Sequence, residues 1–117
     1  MTEIDLRSFE KRIHIRSLEL TDFDDVVALQ LRCFPGMEPW TREEFESQLS
    51  IFQEGQMCVT LDARLVASCS SLILSYDEDL SWHNFRSAAD DGMIRNHDPS
   101  GDTLYGIATN TRGAALP

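Results

Sequence analysis

The apolar periodicity of this chain changes at Gly55, and the change restricts what it can fold into. Upstream, Phe23, Val26, Val27, Leu31 and Phe34 fall at i, i+3, i+4, i+8 and i+11, one stripe of a helix over residues 21–34. Phe45, Leu49 and Phe52 continue the pattern in a second helix over residues 41–52. Downstream, residues 57–61 and 65–74 are β-rich runs around Asp62-Ala63-Arg64, a hairpin whose short loop lacks the usual glycine. A strand at 13–18, with Ile13 and Ile15 on one face, precedes the helices, and a strand at 103–107 follows the hairpin. The order expected is β-α-α-β-β-β, a mostly antiparallel sheet with both helices on one side.

Local chemistry marks the helix ends. Thr21 is the expected first cap, with Asp24 as the acidic partner of a capping box. Asp22, Asp24 and Asp25 in that first turn suit the helix dipole, and Pro35-Gly36 stops the helix. The second start is sharper: Thr41 caps, Glu44 completes the box, and Trp40 can staple onto Phe45. Gly55 suits the C-terminal cap.

At 117 residues the chain is the size of one domain. Residues 1–12 read as a polar leader, 13–107 as the folded part and 108–117 as a disordered tail. Within the folded part, residues 75–102 form an acidic excursion with one short helix expected around Trp82, Phe85, Ala88 and Ala89. Twenty acidic against ten basic side chains leave a net charge of −10, which disfavours nucleic acid and anionic membranes as partners. No apolar run approaches the roughly 20 residues of a membrane span, and the N-terminus has no signal-peptide core. A cytoplasmic location is expected. Cys33, Cys58 and Cys69 are widely spaced and odd in number, so free thiols and no metal site are expected. His14, His83 and His97 read as surface or structural.

Candidate chemistry is sparse. Glu43-Glu44 and Asp90-Asp91 read as solvated surface, and Asp77-Glu78-Asp79 lacks the alternating spacing of a calcium loop. No catalytic residue is assigned: Tyr105 lies in the last strand, and no acid follows Asp102.

The strings "IRSLELTDFDDVVALQLRCFP", "WTREEFESQL" and "SGDTLYGI", in this element order, resemble the first half of a GNAT-family N-acetyltransferase domain over about residues 12–107. The likeness is greatest to GNAT domains with a long loop before the fourth strand, including those fused upstream of a carbon–nitrogen hydrolase domain. The resemblance implies a GNAT-like α/β fold, acetyl-CoA as cofactor, and acetyl transfer to a primary amine. In that family the fourth strand leads into an Arg/Gln-x-x-Gly-x-Gly/Ala loop and a long helix, whose amides hold the pyrophosphate. Arg112, Gly113, Ala114 and Ala115 stand in that place, with Ala115 and Pro117 where glycines are expected. The C-terminal half of such a domain is not in the sequence. A truncated, inactive form that binds acetyl-CoA weakly or not at all is the expectation. The alternative is a non-catalytic interaction or regulatory domain using the acidic excursion or the open sheet edge, through which self-association is also expected.

Overall fold

A computed structural model describes residues 13–75 and 89–111. Its elements are β1 (Ile13–Ser17), α1 (Phe23–Cys33), α2 (Arg42–Phe52), β2 (Met57–Leu61), β3 (Arg64–Leu74) and β4 (Thr103–Thr111). The strands form one antiparallel sheet in the order β1-β2-β3-β4. β4 continues to Thr111, four residues beyond its expected end at Ile107, so residues 108–111 pair with β3 and are not tail. The helix expected around Trp82 and Phe85 lies largely outside the described residues. Ala89, its last member, is buried in a turn.

Cross-strand partners share a face, so register assigns the two sides of the sheet. Arg16, Cys58, Ser68 and Asn110 form one row, and Ile15, Val59, Ala67 and Thr111 form its neighbour on the opposite face. The first face carries both helices: Cys58 and Leu65 pack with Leu18, with Val26 and Leu29 from α1, and with Phe45 from α2. Phe45 is 1% exposed, and its burial alone contributes about 2 to 3 kcal/mol. A second cluster joins Leu72 and Leu74 to Ala89 and Ile94, with Phe52, Tyr105 and Ile107 against it. On the opposite face Ile15 is 71% exposed.

The start of α1 departs from expectation. Glu19 caps a 3-10 turn, Leu20–Asp22, and the α-helix begins at Phe23; Thr21 and Asp24 are exposed and do not form the box. The reason is Asp22. Its carboxylate takes two hydrogen bonds from the Arg16 guanidinium, at 2.8 and 2.9 Å, and a third from the Glu19 N–H at 2.8 Å. The Arg16 bonds hold the Asp22 carboxyl below its ordinary pKa and raise that of Arg16. Leu29 rather than Leu31 completes the buried stripe of α1, leaving Leu31 and Phe34 substantially exposed.

α2 starts as expected. Thr41 Oγ1 accepts from the Glu44 N–H at 3.1 Å, and Glu44 accepts from the Thr41 N–H at 2.9 Å. Its far end differs, because a 3-10 turn, Gln53–Gly55, follows Phe52. Gly55 is not in the left-handed region; its requirement is steric, since a Cβ there would meet the Phe52 ring at 2.2 Å. Beyond it the fully buried Gln56 side chain takes over a ladder position, bonding both the N–H and the C=O of Ser71. The hairpin turns at Asp62 and Ala63, both at positive φ (51° and 65°), and Arg64 already pairs with Leu61. Two left-handed residues match the twist of the strands, so the turn needs the conformation more than the glycine.

The end of β3 is pinned by His97, whose Nδ1 accepts from the Ile73 N–H at 2.9 Å while the ring stacks on Phe52 at 4.2 Å. Burial lowers its pKa. Cys58 sits opposite Ser68, and Cys69 opposite Met57; all three cysteines are free. Cys58 is buried, whereas Cys33 and Cys69 are half-buried.

Candidate functional site

The described residues line an open cavity of about 330 Å³ between the C-terminal part of α1, the loop that follows it and residues 106–110 of β4. That volume lies at the small end of the range for ligand sites, roughly 300 to 1,000 Å³. Gln30 on α1 fixes the loop by accepting from the Trp40 N–H at 2.9 Å. Phe34, Met37 and Trp40 supply apolar walls, and Glu38 supplies a carboxylate.

The β4 wall is irregular for a stated reason. Ser70 pairs with Ala108 and Ser71 with Gly106, so Ile107 is an extra residue with no partner in β3. Such a bulge interrupts the hydrogen-bond ladder and leaves backbone polar groups unmatched. β4 is also the last strand of the sheet among the described residues, so its outer edge has no strand beside it there.

Three buried side-chain polar atoms lack a partner among the described residues: Trp40 Nε1, Asn110 Oδ1 and Gln48 Oε1. The first two belong to residues that line the cavity. Asn110 is 2% exposed, and its Nδ2 donates to Ser68 Oγ at 3.1 Å, which leaves one half of the amide unsatisfied. Buried polar groups are nearly always paired, so unpaired ones on a cavity wall mark where a ligand would be recognised.

The last wall is Asp91, carried by a turn with an unusual backbone. Asp90, Asp91, Gly92 and Ile94 all have positive φ, between 48° and 93°. Non-glycine residues held there store strain that the surroundings must offset. α2 provides that support: Gln48 Nε2 donates to the Gly92 C=O at 2.8 Å, and Ser47 Oγ donates to the Met93 C=O. A Cβ on Gly92 would lie 2.4 Å from Glu44 Oε2 and 2.7 Å from the Trp40 ring, so only glycine allows this approach. Arg95 donates to both oxygens of Asp90 and holds its carboxyl below the usual carboxylate range.

Of Asp90-Asp91, read as solvated surface, Asp91 is exposed and stands at the rim of the cavity, whereas Asp90 departs from that reading, half-buried in an ion pair with Arg95. The Asp-Asp-Gly string was the available signal, because aspartate and glycine tolerate left-handed backbone. Glu38 carried no comparable signal. Arg112, Gly113, Ala114 and Ala115 lie outside the described residues, although Arg112 directly follows β4. Tyr105 packs against the second core cluster. Among the described residues no group of three or more His, Cys, Asp or Glu side chains could hold a metal ion, and no helix is long and apolar enough to cross a membrane.

No family model matches the chain. Among proteins of Bacillus subtilis (strain 168), it is 46% identical over 105 residues to the probable hydrolase YhcX, covering 90% of this chain and 20% of that protein. It is 35% identical over 105 residues to the uncharacterized N-acetyltransferase YkwB, covering 86% of this chain and 46% of that one. The chain thus spans less than half the length of either relative. The loading GNATL domain of CurA from Lyngbya majuscula superposes with a TM-score of 0.69 at 19% identity, over 85% of this chain and 47% of that one. The GNAT-like decarboxylase GphF, solved with isobutyryl-CoA, gives a TM-score of 0.71 at 23% identity, over 86% and 49%. Two helices on one face of a four-stranded antiparallel sheet, matched to about half of each of these domains, give this chain the GNAT-like fold.

Proposed function

We propose that the chain contributes the acyl-CoA strand and the acceptor pocket of a GNAT-type N-acyltransferase, with acetyl-CoA as donor and a primary amine as acceptor. The observation that carries this reading is the Ile107 bulge on the outermost described strand, opening beside the cavity. The pantetheine arm of an acyl-CoA contains two amides and can pair with a strand edge as an added strand would. Unmatched N–H groups at the bulge are suited to polarise a thioester carbonyl, because fixed donors stabilise the charge that develops on its oxygen. An ammonium that has lost one proton attacks the carbonyl carbon; the C–N bond forms and the C–S bond breaks. The sulfur leaves as thiolate and takes up the second amine proton.

The GphF complex with isobutyryl-CoA supports an acyl-CoA ligand for this fold, and the likeness to YkwB supports acetyl transfer. Arg112, Gly113, Ala114 and Ala115, directly after β4, remain the proposed pyrophosphate segment. The likeness to YhcX favours a setting beside a hydrolase domain.

A strand edge offers few hydrogen bonds, so we expect the 117-residue chain by itself to bind acetyl-CoA with a Kd between about 1 μM and 1 mM, a free energy of about −8 to −4 kcal/mol. Without a firmer grip on the pyrophosphate, turnover by the isolated chain is expected to be unmeasurable. Amide NMR during acetyl-CoA titration tests the reading. Shifts confined to Gly106 through Asn110 and their neighbours are expected, and unmoved β4 amides at millimolar ligand would overturn it. A second reading, a non-catalytic interaction domain, is favoured by Ile15 and Leu104, which are 71% and 67% exposed. Concentration-dependent self-association that leaves β4 unresponsive to acetyl-CoA would support it.

A further inference from the structure

We propose that the cavity between α1 and β4 takes a small cationic amine with an apolar, preferably aromatic, body, whose ammonium group lies between Asp91 and Glu38. The inference deepens the acyl-transfer reading and rests on it for the identity of the bound amine as acceptor.

Three independent observations converge. The described lining contains two carboxylates, Asp91 and Glu38, and no lysine, arginine or histidine, so the wall favours a cation. Phe34, Met37 and Trp40 provide an apolar surround, and an indole face beside an ammonium adds a cation–π attraction. Asn110 supplies the third: with Nδ2 given to Ser68 Oγ, its buried Oδ1 is an acceptor in need of a donor. An ammonium has N–H donors and no acceptor, so it satisfies that oxygen where a carboxylic acid anion would not, and it leaves the Trp40 Nε1–H to another acceptor.

The placement of Asp91 is not incidental. Arg95 hydrogen-bonds Asp90, and the turn is tied to α2 through Gln48 and Ser47, so the Asp91 backbone is fixed in a strained conformation at the cavity wall. Strain of this kind collects where a side chain must be aimed. A carboxylate on a fixed turn loses less conformational freedom on binding than one on a flexible loop, and this favours specificity.

Three probes separate the contributions: 2-phenylethylamine, the uncharged 2-phenylethanol, and n-butylamine, which has the charge without the ring. Each is titrated into the full chain, with the Trp40 indole N–H and the Asn110 side-chain amide as NMR reporters. The phenylethylamine should bind most tightly and move both reporters. Asp91→Asn and Glu38→Gln should each weaken it about fivefold, as befits ion pairs at an open site, while Glu54→Gln, an exposed acid away from the cavity, should change nothing. Asparagine tolerates the left-handed backbone, so the Asp91→Asn turn should persist. Equal binding of phenylethylamine and phenylethanol, or unaltered binding in both carboxylate variants, would overturn the inference. Acetyl-CoA is titrated in parallel. If it moves the β4 amides while no amine enters the cavity, the acceptor inference falls and the acyl-transfer reading stands. If the amine enters and acetyl-CoA leaves β4 untouched, amine binding is upheld and the acyl-transfer reading falls.

Discussion

The two α-helices among the described residues follow the same backbone-to-carboxylate hydrogen bond, and for different reasons. At α2, Glu44 reaches back to the Thr41 N–H, and Thr41 answers by accepting from the Glu44 N–H; residues 41 and 42 around this cap are exposed. Ahead of α1, Asp22 reaches back to the Glu19 N–H in the same way, but it is 7% exposed and chelated by Arg16 from β1. One cap is local, made among four successive residues. The other is a tertiary contact that also ties the first strand to the first helix. The difference teaches that a capping acid is placed by its most demanding partner, and at α1 that partner is a cation rather than the backbone.

The largest expected effect is at Asp22. Replacement by alanine leaves Arg16 without its partner and the Glu19 N–H without an acceptor. Breaking a buried pair costs about 3 to 5 kcal/mol, and because the Arg16 side chain keeps 38% exposure we expect about 2 to 3 kcal/mol in urea unfolding. The same variant should change the acid limb. The Asp22 carboxyl titrates below its ordinary value of 3.8 when folded, so its contribution is present above pH 3.8 and is lost as pH falls below it. Stability measured across that window should fall less steeply in the variant; an equal slope would mean the pair is screened away.

Thr41→Ala is next, at about 1 kcal/mol, the usual worth of a side-chain cap. A loss as large as that at Asp22 would break the distinction between local and tertiary caps. The smallest effect is expected for Glu44→Gln, within about 0.5 kcal/mol, since glutamine can serve in a capping box. A larger loss would show that the Glu44 charge, close beside Gly92, matters to the 89–94 turn.

What the residues disclosed beforehand follows the same division. The box at Thr41, the strand at residues 57–61 and the hairpin could be read because short-range chemistry fixes them. The box assigned to Thr21 and Asp24 was displaced by Arg16, five residues before Thr21, a contact that periodicity does not encode. Leu29 took the core position expected for Leu31 because helix rotation is set by the sheet beneath. Residues 108–111 looked like tail, being small and polar, yet β3 is long enough to pair with them. In the candidate site, Trp40 and Phe34 were legible as large apolar residues. For Asp91 the Asp-Asp-Gly string signalled a turn but not a cavity, and Asn110 had no local signal, since their placement at one cavity comes from elements far apart in sequence.

The Ile107 bulge shifts the phase of β4. Before it, the odd-numbered Thr103 and Tyr105 face the helices opposite Leu74 and Leu72; after it, the even-numbered Ala108 and Asn110 do so, opposite Ser70 and Ser68. One inserted residue thus decides which side chains the cavity receives. Deleting Ile107 would leave Asn110 opposite Ser68, whereas closing the bulge with Ile107 paired to Ser70 would set Thr109 opposite Ser68 and turn Asn110 to the other face. The recognition surface of β4 is therefore set by where the ladder skips a residue as much as by which residues it holds, and a strand that kept every side chain but lost the bulge would present a different wall.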